Sequence, residues 1–75
     1  MEMNKLRNRR IALGYSQLKL SVVAGISPAM IVAIEKYGYM PGPSVRAKLI
    51  KVLGVSEAIL WPSLDRTIGG NRNAD

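Results

Sequence analysis

The chain has 75 residues and carries 11 Lys and Arg against five Asp and Glu, a formal net charge of +6 at pH 7. It contains neither Cys nor His, which excludes disulfides, the usual zinc sites, thiol nucleophiles and every His-based catalytic triad. The five carboxylates are scattered along the chain, so the sequence indicates no carboxylate pair for acid–base chemistry. We therefore predict no catalytic residue, no metal site and no cofactor.

The composition is that of one small globular domain with a polyanionic partner. Hydrophobic residues make up 48% of the chain and charged residues 21%, which is typical of a folded protein. The excess of positive charge favours nucleic acid as the partner, with a merely solvated basic surface and a membrane surface as the alternatives. Because there is no apolar run of membrane-spanning length and no apolar N-terminal segment typical of a signal peptide, we expect a cytoplasmic protein without a membrane partner.

The first predicted helix runs from about Asn4 to Leu13 and ends before Gly14. Leu6, Arg10 and Leu13 follow the spacing i, i+4 and i+7, so they are expected on one face of this helix. An Arg on an otherwise apolar face requires a partner, because an unpaired buried charge is costly.

The second predicted helix is short. Ser16 is suited to cap its N-terminus, the helix continues through Ala24, and Gly25 is suited to end it. Val22 and Val23 are β-branched, which lowers the intrinsic helix propensity of this segment. Tertiary packing must therefore hold the helix in place.

A turn containing a Gly leads into the third predicted helix. Ser27 is expected to cap this helix and Pro28 to occupy its first position. The helix extends to about Tyr37, with Ile31 and Ile34 on its buried side. Two short helices joined by such a turn are the sequence form of a helix-turn-helix, and equally of any helical hairpin in a small bundle.

The segment around the end of this helix, residues 36–43, contains two Gly and two Pro and is predicted to be irregular. A fourth helix is predicted from Ser44 to Leu53.

The last helical turn begins after Ser56 and ends before Pro62. Periodicity is then lost. We predict a folded domain over residues 1–62 and a disordered tail over residues 63–75.

Several different short motifs follow one another along the chain at intervals that match those of a known family without a gap. They are Gly14-Tyr15-Ser16-Gln17, Leu20, Gly25-Ile26-Ser27, Ile31, Ile34-Glu35, Pro41, Leu53-Gly54-Val55-Ser56 and Leu60-Trp61. In this combination the chain resembles the phage repressor and Cro-like helix-turn-helix family, also called the xenobiotic-response-element type, over roughly residues 4 to 62. The resemblance implies an all-α, compact five-helix bundle whose second and third helices bind double-stranded DNA.

The resemblance also implies roles for single residues. The third helix is expected in the major groove, while the second crosses the phosphate backbone. Gln17 is expected to contact a phosphate and to brace the third helix, and Arg10 and Glu35 are expected to form a structural ion pair. The positions implied to contact bases are Ser27, Pro28, Ala29, Val32 and Ala33. The positions expected to contact phosphates are Ser16, Gln17, Lys36, Tyr37, Tyr39 and Arg46.

The third helix departs from the family pattern because it lacks the bidentate donors that discriminate bases. Among its outward positions only Ser27 can form a hydrogen bond. In one account Ala29, Val32 and Ala33 contact thymine methyl groups, and DNA shape adds specificity. In the other, the helix binds a protein, as in an antitoxin-like partner. Charge favours the first account, because basic residues flank the helix in sequence: Lys5, Arg7, Arg9, Lys36, Arg46, Lys48 and Lys51.

Two aromatic residues after the third helix and two apolar residues of the second helix leave further alternatives open. Tyr37 and Tyr39 either donate phenolic hydroxyls to phosphates or cover the small core. Leu18 and Val22 occupy outward positions of the second helix, where they either form an exposed patch open to a partner or pack on Tyr15.

Family analogy finally suggests a weak homodimer contact, formed on a two-fold operator, from Leu60, Trp61 and Pro62. The sequence as a whole predicts a sequence-specific DNA-binding transcriptional regulator of the repressor kind, with a protein-interaction module as the alternative.

Overall fold

The computed structural model describes residues 4–62 and holds five α-helices and no strand within that range. The helices are α1 (Lys5–Ala12), α2 (Gln17–Ala24), α3 (Pro28–Tyr37), α4 (Pro43–Leu53) and α5 (Glu57–Leu60). The all-α five-helix architecture expected from the sequence is confirmed. The predicted tail over residues 63–75 lies outside the described residues. Between residues 4 and 62 no helix has the length and apolar character needed to cross a bilayer.

Capping serines, a glycine and a proline determine where α2 and α3 begin and where the turn between them lies. The Ser16 and Ser27 hydroxyl oxygens each accept a hydrogen bond from a backbone N–H in the first turn of the helix that follows, at 2.9 and 3.1 Å. Gly25 ends α2 with φ of 74°, a left-handed conformation that favours glycine. The N–H groups of Gly25 and of the next residue both bond to the Ser21 carbonyl. Pro28 then occupies the first turn of α3, where its missing N–H costs nothing.

The fourth helix begins one residue earlier than predicted. Gly42 is its N-cap and Pro43 is already helical, so the expectation that the helix starts at Ser44 is wrong by one position. The fixed φ of proline suits the first helical position, which explains the difference.

The core is one cluster of nine buried side chains. They are Leu6, Leu20, Ala24, Ile31, Ile34, Leu49, Leu53, Leu60 and Trp61. Leu13 was expected on the buried face of α1, but it is exposed. It forms the C-cap, beyond the last residue of the helix.

The prediction that Leu60, Trp61 and Pro62 supply a dimer contact is wrong for the first two. Leu60 is 5% exposed and Trp61 8%, and both belong to the core. The reason is that α5 packs against α1 and α4, which places both side chains in the core. Of the three residues, only Pro62 is exposed.

Candidate nucleic-acid interface

A buried polar network centred on Glu35 holds α3 in place. The Glu35 side chain is 2% exposed. Its carboxylate accepts hydrogen bonds from Arg10 Nε at 2.7 Å and Nη2 at 3.0 Å, and from Gln17 Nε2 at 3.1 Å. The remaining Arg10 nitrogen, Nη1, donates to the Tyr15 carbonyl at 2.8 Å. These bonds connect α1, the loop after it and the start of α2 to the last turn of α3.

The N-terminus of α2 combines this network with the chemistry of an anion site. Gln17 is the first residue of α2, where backbone N–H groups lack partners within the helix and the helix dipole is positive. A side-chain amide nitrogen carries two hydrogens, so Gln17 can donate to a phosphate oxygen while keeping its bond to Glu35. Ser16 lies directly before it, and its hydroxyl, already an acceptor as the N-cap, retains a proton to donate.

One face of α3 points away from the core. Ile31 and Ile34, on the opposite side, are fully buried. The residues of this outward face follow the spacing i, i+3, i+4 and i+7, and we call them the α3 outward face: Ala29, Val32, Ala33 and Lys36. Ala29 and Lys36 are exposed, whereas Val32 and Ala33 are half-buried. The face is therefore accessible to a partner, and apart from Lys36 it consists of short apolar side chains.

At the start of α3, Ser27 and Pro28 are exposed. The Ser27 hydroxyl oxygen accepts from the Met30 N–H at 3.1 Å, so it acts as the helix cap. Its hydroxyl proton is the one side-chain donor at this end of the helix, because Pro28 and Ala29 have none.

At the C-terminal end of α3 one basic and two aromatic side chains are exposed. Tyr37 and Tyr39 are both exposed, so the alternative that they cover the core is wrong. Gly38 ends the helix, and the Tyr39 N–H bonds to the Ala33 carbonyl at 3.1 Å, which keeps the Tyr39 backbone beside the end of α3. The Lys36 ammonium lies 5.6 Å from the centroid of the Tyr37 ring. This end of α3 thus presents one cation and two phenolic hydroxyls.

The Arg46 guanidinium makes most of its hydrogen bonds to other groups of the protein. Its Nε forms an ion pair with Glu57, and its Nη1 donates to the Pro41 carbonyl at 2.7 Å. Arg46 therefore ties the loop before α4 to the start of α5. Only Nη2 is left for a phosphate, so this residue differs from the exposed Lys36.

Two residues position helices through side-chain bonds that the sequence did not predict. Asn4 caps α1 and donates from Nδ2 to the Ile34 carbonyl in the last turn of α3, at 2.9 Å. Arg9 donates from Nε to the carbonyl of Leu53 at the end of α4, also at 2.9 Å. Both satisfy carbonyls that a helix C-terminus leaves without internal partners. The cap at Asn4 was recognisable from its residue type, but neither cross-helix bond has a signal in sequence spacing.

Leu18 and Val22 lie one turn apart on α2, and both are exposed. Their outward placement was expected. The exposure favours an apolar surface patch over packing on Tyr15, which is itself half-buried against the core.

Comparison with known proteins agrees with this geometry. Residues 6–60 match the family model described as helix-turn-helix. A Bacillus subtilis protein named "Uncharacterized HTH-type transcriptional regulator YgzD" is 34% identical over 59 residues, a match covering 77% of this chain and 89% of that protein. No solved structure matches the chain at a meaningful level of similarity. The chain belongs to the phage repressor and Cro type of the helix-turn-helix family.

Proposed function

We propose that this protein is a transcriptional repressor that inserts α3 into the major groove of an operator and lays α2 across the phosphate backbone. One observation carries the proposal: the α3 outward face is accessible, while Ile31, Ile34 and the Glu35 network hold the opposite side of the helix rigidly. The width of the major groove admits one α-helix presented in this way.

Phosphate contacts are proposed at both ends of the helix-turn-helix. At the start of α2, first-turn N–H groups, Ser16 and Gln17 offer neutral donors to a phosphate oxygen. At the end of α3, Lys36, Tyr37 and Tyr39 offer a cation and two hydroxyls. Contacts of this kind fix the register and orientation of the protein but carry no sequence information. Sequence selection is therefore assigned to Ala29, Val32 and Ala33 of the α3 outward face and to DNA shape.

The proposed mechanism is occupancy of the operator, and it requires no catalytic group. Two copies bind two half-sites about one helical turn, roughly 34–36 Å, apart. Leu60 and Trp61 are not part of the proposed pairing, because both are buried. Each copy binds its half-site through the same contacts, and pairing takes place on the DNA.

Salt dependence tests this function. With about six phosphate contacts, the logarithm of the binding constant falls against the logarithm of salt concentration with a slope of about −5. The measurement is fluorescence anisotropy of a labelled duplex at several salt concentrations, with the full chain. Absent or salt-independent DNA binding at roughly 50–100 mM salt contradicts the proposal.

A protein-interaction module is the second candidate, and two observations favour it. The α3 outward face is largely apolar, and Leu18 and Val22 form an exposed patch on α2. Apolar surface of this kind is used in protein contacts. The same salt titration separates the two functions, because only backbone-dominated DNA binding gives the steep slope.

A further inference from the structure

The α3 outward face has almost no hydrogen-bonding chemistry along its length. Ala29, Val32 and Ala33 end in methyl groups, which neither donate nor accept. The flanking polar atoms are the Ser27 hydroxyl, which caps the helix, and the Lys36 ammonium in the last turn. Lys36 lies seven residues beyond Ala29, about 10 Å along the helix axis. The middle of the face is therefore purely apolar.

Base edges in the major groove are polar with one exception. Guanine, adenine and cytosine present acceptors and donors there, and thymine adds the C5 methyl group to its O4 acceptor. Placing an apolar side chain against a donor or acceptor removes that group from water without a replacement hydrogen bond, which is unfavourable. A contact with the C5 methyl group is favourable instead, because both groups leave water. The small side chains of Ala29 and Ala33 allow the helix backbone to approach the base edges closely.

We propose that the α3 outward face recognises C5-methylated pyrimidines as a class, so that 5-methylcytosine substitutes for thymine at the contacted positions. This inference rests on the proposed function, since it requires α3 in the major groove. The two bases carry the same methyl group in the same place and differ at position 4, where thymine has an acceptor and cytosine a donor. Discriminating them requires a hydrogen-bonding side chain, and Ala29, Val32 and Ala33 supply none. Operator affinity therefore responds to cytosine methylation.

The flanking Ser27 does not remove this ambiguity. Its hydroxyl rotates and acts as donor or acceptor, so it accommodates either base. Each contacted methyl group is expected to change affinity about fourfold, which corresponds to ~0.8 kcal/mol.

The test uses duplexes that the full chain selects from a random oligonucleotide pool. Each thymine in turn is replaced by deoxyuridine, which removes only the methyl group. Each sensitive T·A pair is then replaced by C·G and by 5-methyl-C·G. We expect about fourfold weaker binding on loss of a contacted methyl group, at adjacent positions within a half-site, and recovery of that loss by 5-methylcytosine relative to cytosine. Equal affinity for methylated and unmethylated bases at every position overturns the inference.

Two variants test whether the preference for methylated bases comes from the α3 outward face. Val32→Thr keeps the side-chain volume but replaces one methyl by a hydroxyl, and it is expected to lower the ratio of methylated to unmethylated affinity. Tyr37→Phe removes the hydroxyl of a proposed phosphate contact that lies outside the α3 outward face and is exposed. It is expected to weaken binding to both duplexes equally and leave the ratio unchanged. Thermal unfolding followed by circular dichroism checks that both variants are folded.

Methyl recognition and the DNA-binding function can be refuted separately. Steeply salt-dependent binding without any methyl effect refutes methyl recognition and leaves the DNA-binding function standing. Absence of binding to every duplex at low salt refutes the proposed function, and methyl recognition with it.

Discussion

The Glu35 carboxylate accepts two hydrogen bonds from one edge of the Arg10 guanidinium, from Nε at 2.7 Å and from Nη2 at 3.0 Å. This is the bidentate geometry in which Arg and a carboxylate interact most strongly. The Arg10 and Glu35 side chains are 9% and 2% exposed, so water does little to solvate either charge. Each residue therefore depends on the other, and the pair couples α1 to α3.

Arg10→Met is expected to lower the free energy of unfolding by about 3–5 kcal/mol, because it leaves the Glu35 carboxylate buried without a cation. Urea unfolding followed by the fluorescence of Trp61 measures this change. Exchanging both residues for apolar ones of similar volume is expected to recover much of the loss, since no charge is then left alone.

Glu57→Gln is the matched control for that prediction. Glu57 also pairs with an arginine, Arg46, but its side chain is 43% exposed, so water replaces the lost interaction. The expected cost is at most about 1 kcal/mol. A loss for Arg10→Met that is no larger than this contradicts the burial argument.

Asn4→Ala is expected to lower the free energy of unfolding by about 1–2 kcal/mol. It removes the cap of α1 and, with it, the hydrogen bond to the Ile34 carbonyl. Ser56→Ala is the control, because Ser56 is also an N-cap but its side chain makes no cap hydrogen bond. Ser56→Ala is therefore expected to cost only a few tenths of a kcal/mol. Similar losses in urea unfolding for the two variants contradict the role assigned to Asn4.

The elements that could be predicted from sequence are those with local determinants. The boundaries of α2 follow from a capping Ser16 and a terminal Gly25, and the start of α3 from Ser27 with Pro28. Such residues act on neighbouring backbone groups, so their effect does not depend on the rest of the fold.

The elements that could not be predicted depend on what packs against them. Leu60 and Trp61 are apolar whether they lie in a core or in a dimer contact, and only the position of α5 against α1 and α4 decides. Arg46 has the residue type of a phosphate contact, yet Glu57 and the Pro41 carbonyl take up two of its nitrogens. The choice among partners is a property of the folded chain that spacing does not encode.

Lys36→Ala is expected to reduce the magnitude of the salt slope of DNA binding by about 1, because it removes one proposed phosphate contact. Its effect on unfolding is expected to be small, since the side chain is exposed. Arg46→Ala is expected to do the reverse. It removes an ion pair and a hydrogen bond, so stability falls by about 1 kcal/mol or more while the slope changes less. Equal slope changes for the two variants mean that Arg46 leaves Glu57 to bind DNA.

Ala29→Gln and Ala33→Gln are expected to change the preferred DNA sequence rather than abolish binding. A glutamine on the α3 outward face can form a bidentate contact with adenine, which favours that base by about 1–3 kcal/mol. Selection from a random duplex pool, followed by sequencing, measures the preference of each variant. Leu18→Gln, on the exposed side of α2, is the control and is expected to select the same sequences as the unmodified chain. If both α3 variants also select those sequences, α3 does not contact the bases. That result favours the alternative in which α3 binds a protein.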